Sequence, residues 1–369
     1  MRVAVLGGSH GGYATAADLA LAGHQVRLWR RDRAALAALG SPPAITFRGD
    51  GAEGVARLER ATGDLGEAVE GAAVVVVPLP ATSHEDLAPR LGRHLTGREV
   101  VLLTPGTLGS YVMAREIARA GGRMPLAFAE TGTLPYLARK TGPAEVTAPV
   151  RAANLPVGVF PSARADAALA RVRELFPATR PCVDALDAAL TNAGIVIHPP
   201  LVLLNAGAID RGRFDVHAAG TTDGPRRIID AVDAERVATR VGWDYPAPHY
   251  ELAHYYDETR AAEWLYGAGA RAKLTASGLW NEVLTYEHRY VTEDTVLGLP
   301  LFESAARAAG TPSDGISGLL LVFGALLGRR LTGQGRALER LGLGDLTRRE
   351  IRGFMEEGWT SSFWPRAIA

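Results

Sequence analysis

An α/β N-terminal domain built on a mostly parallel sheet, followed by an all-α C-terminal domain, is the fold class that this sequence predicts. Three observations carry it. Strand, loop and helix patterns repeat from residue 3 onward, a glycine-rich turn closes the first strand, and from about residue 184 β-branched runs give way to helical spacing. The expected division is therefore 1–184 and 185–369, each part long enough for a core of its own.

Composition narrows the class of partner. The 40 basic residues balance 40 acidic ones, which argues against a nucleic-acid or membrane-surface partner and for small molecules. Cys182 is the single cysteine, so no internal disulfide can form, and a reducing compartment is expected. The aliphatic run 318–327 falls far short of the roughly 20 residues of a membrane span. Met1-Arg2 leads straight into the first strand, with no signal peptide in front of it. The expected location is cytoplasmic.

Taken in order, Val3-Ala4-Val5-Leu6 is a short apolar strand, followed by Gly7, Gly8, Ser9, His10, Gly11 and Gly12 and a helical pattern to Ala22. This is the order that a Rossmann dinucleotide-binding domain requires. Gly7 makes the tight turn, the N–H groups of the helix start face a pyrophosphate, and Gly12 lets helix and strand pack closely. Ser9 occupies the place of the middle glycine, so a phosphate must tolerate its side chain or use its hydroxyl. Residues 26–29 form the second strand. Arg30 follows where an NAD-specific site places an acidic residue for the ribose. With Arg31 and Arg33 it offers charge for a 2′-phosphate, which favours NADP(H) over NAD(H). The competing reading is a solvated basic turn in which Asp32 serves a ribose.

After the turn Ser41-Pro42-Pro43, short strands are expected at 44–47 and 55–61 and a helical turn at 64–70. The continuous β-branched run 72–77 reads as a parallel strand covered on both faces. Strands at 100–103 and 126–129 follow. Ligands of such sheets bind beyond the carboxyl ends of the strands. The loops holding Pro78, Pro105 with Gly106, and Thr131 are therefore expected to line the nicotinamide end of a cofactor. Short strands with prolines at 144–160 and a helix at 163–176 complete this half.

The helical half centres on 191–210, TNAGIVIHPPLVLLNAGAID, a long apolar stretch without Lys or Arg. Its one histidine, His198, precedes Pro199 and Pro200, so the helix is expected to bend or restart there, with Asn192 and Asn205 serving freed backbone groups. His198 reads either as a core histidine at a kink or as a proton-transfer group. Further helices are expected at 223–241, 250–265, 274–287 and 342–354, and 315–328 is expected to be a fully buried central helix. In 287–295, Arg289 is a candidate for two-pronged carboxylate binding and Asp294 for orienting an imidazole, against a solvated charged loop. The nine histidines show no C-x-x-C or H-x-x-x-H spacing.

These pieces resemble the opine dehydrogenases, the octopine/nopaline dehydrogenase family. The resemblance rests on Val3-Ala4-Val5-Leu6-Gly7 with Gly11-Gly12, Glu130-Thr131 with Leu134-Pro135-Tyr136, and His198-Pro199-Pro200 with Leu203-Leu204-Asn205. It continues through Arg289-Tyr290, Glu293-Asp294, Gly298-Leu299 and Gly335-Arg336 with Leu338-Glu339, and so spans both halves. It implies a C-terminal helical domain of the 6-phosphogluconate dehydrogenase type and an active site in the interdomain cleft. The implied reaction is reductive condensation of an amino acid with a 2-oxo acid, with hydride supplied by NAD(P)H. The resemblance also implies that His198 exchanges the proton at the 2-oxo acid oxygen, that Asp294 holds and charges it, and that Arg289 binds the 2-oxo acid carboxylate. A homodimer is a possible assembly. Two other readings stand beside this one: a related dehydrogenase acting on a CH–OH donor, and a non-catalytic NADP(H)-binding sensor. Only Lys140 and Lys273 could supply the lysine that the first of these would want, and neither lies beside Asn192 or Asn205.

Overall fold

The computed structural model describes residues 1–50, 52–281 and 283–368. Twelve strands precede the helical half: β1 (Arg2–Leu6), β2 (Gln25–Trp29), β3 (Ala44–Gly49), β4 (Ala52–Arg57), β5 (Arg60–Thr62), β6 (Val74–Val77), β7 (Val100–Leu103), β8 (Ala127–Thr131), β9 (Tyr136–Gly142), β10 (Glu145–Arg151), β11 (Leu155–Phe160) and β12 (Thr179–Pro181). Eight of them form one sheet in the order β12-β11-β8-β7-β6-β1-β2-β5. Neighbours run parallel except β11, which is antiparallel to β8. This is a Rossmann-type sheet, and its central strands are buried on both faces, as their valine runs require.

The two-residue period of the strands sorts these valines into two cores. Val3, Val5, Val74 and Val76 pack with Tyr13 and Ala16 of helix His10–Leu21. Ala4, Leu6, Val75 and Val77 face the other way, into a core that runs on through Ile195, Val196, Leu301 and Phe302 of the helical half. One face of the sheet thus shares its core with the C-terminal helices. Where the chain crosses between the halves, Gly158 of β11 lies so near the carbonyl of Asp184 that a Cβ would sit 2.0 Å from its oxygen.

Several sequence expectations need correction. The stretch 55–61 is not one strand: β4 joins β3, β10 and β9 in a separate four-stranded sheet, while β5 pairs with β2 of the main sheet. The helix expected at 250–265 is reduced to Ala253–Tyr256 and a short 3-10 turn at Ala261–Glu263. Asp257 stops it, because its carboxylate accepts from the backbone and hydroxyl of Thr259 and so offers the chain a turn in place of a further helical bond. The helix expected at 274–287 is shifted to Ala270–Ser277 and ended by Gly278 at φ +62°. Glu282, within that expectation, lies outside the described residues.

Asp314–Leu326 is a helix but not a fully buried one, since Leu321 and Val322 are exposed while Ile316, Leu320 and Phe323 face the core. An apolar composition all round misled the reading here. The helix expected at 342–354 starts later, at Arg348, where Thr347 and Glu350 form a reciprocal cap. The stretch Ala185–Leu204 is long and apolar enough to cross a membrane, yet 78% of it is buried inside this fold, so the core accounts for its composition.

Gly158→Ala is expected to destabilise by about 1–3 kcal/mol or more through overpacking against Asp184. Gly207→Ala, in the helix Ala206–Ile209 with nothing within 4 Å of a new Cβ, is expected to be neutral or mildly stabilising. Urea midpoints of the two variants check the contrast.

Candidate active site

Helix Ala193–Leu204 starts at Asn192, whose side chain accepts from the Gly194 N–H and donates to the Thr107 hydroxyl. It runs on through Pro199 and Pro200, both buried, so it does not restart beside His198. The chain restarts only at Asn205, whose amide donates to the carbonyls of Leu201 and Gly220. Proline costs a helix about 3 kcal/mol, and here burial of the apolar helix offsets it. Gly194, Ile197, His198 and Leu201 follow the i, i+3, i+4, i+7 spacing of one helix face, and all four line a cavity of about 460 Å³.

The segment that reads either as a site or as a solvated charged loop runs into a π-helix, Tyr290–Gly298, in which the Leu299 N–H donates to the Asp294 carbonyl. Wider turns of this kind are rare and frequently occur at functional sites. Here they bring Tyr290 and Asp294 to the same imidazole. His198 Nδ1 and Asp294 Oδ2 are 2.7 Å apart, and the Tyr290 ring stacks on the imidazole with centroids 3.6 Å apart and planes 14° from parallel. The Tyr290 hydroxyl lies 2.9 Å from Nε2 of His217. Gly194 makes room for this arrangement, because a Cβ there would sit 3.3 Å from both Asp294 Oδ1 and the His198 ring.

Burial holds the His198 imidazole well below its ordinary pKa, and the charges of Arg289 and His288 push the same way. Burial likewise raises the Asp294 carboxyl to about 6. At neutral pH the pair is therefore a neutral imidazole donating from Nδ1 to an ionised carboxylate, which accepts only. That tautomer leaves the ring's lone pair on Nε2. His217 is also neutral, depressed to about 3 by burial and by His198.

Arg289 lines the same cavity and donates through Nε to Glu293 Oε2 at 2.9 Å. The other oxygen of Glu293 accepts from the Ala81 N–H, so one buried carboxylate ties Arg289 to the loop after β6. Arg336 grips the sheet from the same side: its Nη1 donates to the carbonyls of Gly106 and Thr107 and its Nη2 to that of Ala81. Glu130, also buried, accepts from the N–H groups of Leu108 and Ser110. These three groups fix the strand-end loops that face the cavity.

At the sheet end the cavity meets Ser9, His10 and Gly11, with Pro78 and Pro105 on its wall. Gly106 and Thr131 stand behind the wall: a Cβ at Gly106 would strike Glu130 at 2.3 Å, and the Thr131 hydroxyl donates to the Thr133 carbonyl. Thr133, not Thr131, reaches the cavity. The Ser9 hydroxyl is committed locally, accepting from the Gly12 N–H and donating to the Pro78 carbonyl, so it caps the helix and secures a neighbouring loop. Gly7, at φ +132°, turns the chain, and a Cβ on Gly12 would lie 2.1 Å from the Gly7 carbonyl oxygen. The N–H of Gly11, in the first helical turn, has no intrahelical acceptor. This cradle fits a dinucleotide pyrophosphate.

Arg30 lies across the turn, 2.8 Å from where a Gly8 Cβ would be, with Nη1 2.6 Å from the Tyr13 hydroxyl and Nη2 3.4 Å from Asp32. Lys140, which the sequence did not single out for the cofactor, places its ammonium 4.0 Å from the Tyr13 ring centre. Burial and then the neighbouring Arg30 lower its pKa. Arg31 is exposed, and Asp32 caps the helix Arg33–Ala37.

In the ligand-free protein His198 is expected to titrate well below 6.5, and Arg289→Gln is expected to raise it by removing the largest opposing charge. Histidine NMR titration, with His198→Gln to assign the resonance, checks both.

Residues 181–327 match the family model described as NAD/NADP octopine/nopaline dehydrogenase, alpha-helical domain. An opine dehydrogenase from Arthrobacter sp. (strain 1C) is 30% identical over 358 residues, covering 96% of this chain and 98% of that protein. Among solved structures, an octopine dehydrogenase with NADH and L-arginine superposes with a TM-score of 0.68 at 19% identity, covering 95% of this chain and 97% of that one. A yersinopine dehydrogenase with NADP+ bound gives 0.62 at 15% identity, covering 97% and 98%. At these identities the two structures establish the shared fold.

Proposed function

This chain belongs to the opine dehydrogenase family, an oxidoreductase acting on CH–NH donors, and from that premise we propose that it joins an amino acid to a 2-oxo acid by NADP(H)-preferring reductive condensation, and runs the reverse oxidation. The observation that carries the reading is convergence. His198, Arg289 and the glycine turn all border one cavity, and Asp294 is bonded to His198 from behind it.

Arg289 would hold the carboxylate of the 2-oxo acid. Condensation with the amine expels the carbonyl oxygen as water, and His198 Nε2 supplies a proton to that departing oxygen. Asp294 orients the ring and stabilises its charged form. In the ligand-free site the cation of Arg289 opposes protonation of His198. A bound carboxylate neutralises that cation, so the arrival of the 2-oxo acid itself promotes the acid form. A bound nicotinamide supplies the hydride that reduces the imine. In the reverse direction the neutral imidazole accepts the proton from water as that water attacks the imine carbon.

The preference for NADP(H) draws support from Arg30 and Lys140, two cations on one tyrosine at the rim of the glycine turn. A 2′-phosphate placed there would pair both, and would favour the charged form of Lys140. The fold of the yersinopine enzyme accommodates NADP+ and that of the octopine enzyme NADH, so the fold alone leaves the choice to such residues.

Oxidation of NADPH is expected to require an amino acid and a 2-oxo acid together. His198→Ala is expected to lower kcat by roughly 10²–10⁴-fold, with NADPH binding retained. Lys140→Ala and Arg30→Ala are expected to raise the KM for NADPH and leave that for NADH unchanged. Absorbance at the nicotinamide band reads all three, and full turnover by His198→Ala would refute the proton-transfer role.

A further inference from the structure

The cavity continues past His198 into the helical half, and its walls there belong to side chains that the reaction itself does not use. We infer that this end is the subsite for the amino-acid side chain, that it takes an uncharged aliphatic or aromatic one, and that it rejects cationic side chains. The inference rests on the condensation reaction proposed above and names its amine substrate.

Continuity is the first argument. Ile197 and Leu201 flank His198 on the cavity face of helix Ala193–Leu204, so the wall becomes apolar within one helical turn of the proton-transfer group. Trp264, Leu274 and Trp280, all buried, also border the cavity. Such a wall gains about 25 cal/mol for each Å² of apolar ligand surface that it removes from water.

Charge is the second argument. Among the described residues bordering the cavity, the acidic groups are Glu287 and Glu293. Glu293 has both oxygens engaged, by the Ala81 N–H and by Arg289, and Glu287 is exposed. The cationic groups are Arg139, Arg271 and Arg289. An ammonium or guanidinium entering this end would lose its water, find no buried carboxylate available, and meet like charge.

Aromatic rings can hold a cation in place of a carboxylate, but two of the rings here, Trp280 and Tyr256, already serve the protein's own arginines. Arg139 lies 4.4 Å from the Trp280 ring centre, and Arg226 and Arg271 lie 4.2 Å and 5.2 Å from that of Tyr256. The octopine dehydrogenase structure contains L-arginine in the same fold, so this chain would differ from it in the lining of the pocket and not in architecture.

The test is kcat/KM at saturating NADPH and pyruvate for leucine, phenylalanine, arginine, lysine and glutamate. Leucine or phenylalanine is expected to exceed arginine and lysine by on the order of 10²-fold or more. Leu274→Glu, which adds a carboxylate to the wall, is expected to raise the arginine-to-leucine ratio at least tenfold with the KM for pyruvate unchanged. Should that variant fail to fold, Trp280→Ala serves, with an expected loss for phenylalanine and no change in the KM for pyruvate. A preference for arginine or lysine would overturn the inference while leaving the reaction intact, as would a preference for glutamate, which would assign Arg139 and Arg271 to a side-chain carboxylate. Absence of turnover with every pair would overturn the proposed reaction and this inference with it.

Discussion

The bond between His198 and Asp294, 2.7 Å long, with the carboxylate buried and the imidazole half-buried at the cavity, is the constraint on which the rest of the site depends. It joins two elements far apart in sequence, an apolar helix with two prolines and a π-helix. Neither has an obvious local reason to form. Proline disfavours the first, and the i+5 bonding of the second is rare. Both are stabilised by contact with the other. Gly298 comes so close to the first helix that a Cβ there would lie 2.6 Å from Ile195, and Gly194 leaves the space that Asp294 occupies. Burial of the pair, with the charge of Arg289, then holds the imidazole neutral.

A second set of contacts connects this pair to the sheet. Glu293 and Arg336 reach from the helical half to the loops after β6 and β7, taking up the Ala81 N–H and the carbonyls of Ala81, Gly106 and Thr107. Fully paired buried charges are expensive to break, because the partner left behind keeps its desolvation cost. The distance between the glycine turn and His198 is thereby fixed by hydrogen bonds as well as by the shared apolar core. The proposed condensation needs that fixed relation, since it sets a hydride donor on one half against a proton-transfer group on the other.

Much of this was legible in the sequence, for identifiable reasons. The valine runs of β1, β6 and β7 announce strands buried on both faces, and the glycine turn announces the first helix, because each depends only on neighbours in the chain. The reading failed where tertiary contact overrides local preference. Pro199 and Pro200 argued for a restart that packing suppresses. Residues 315–328 looked buried all round, although Leu321 and Val322 face solvent. Asp257 diverted a helix that periodicity alone would continue. In the candidate site, His198, Asp294 and Arg289 were singled out by motif and resemblance. Tyr290 entered only as a neighbour in the Arg289-Tyr290 match and His217 carried no signal, since stacking and ring contacts come from the fold. Lys140 lies on β9, distant in sequence from the arginines that it joins at the glycine turn.

The measurement that tests the central claim most directly follows the hydride. With NADPH deuterated at the transferring position of its nicotinamide, an amino acid and a 2-oxo acid, the account predicts a secondary amine dicarboxylate that carries the deuterium on the carbon derived from the oxo acid. Deuterium found instead on a 2-hydroxy acid, with the amino acid unchanged, would contradict it.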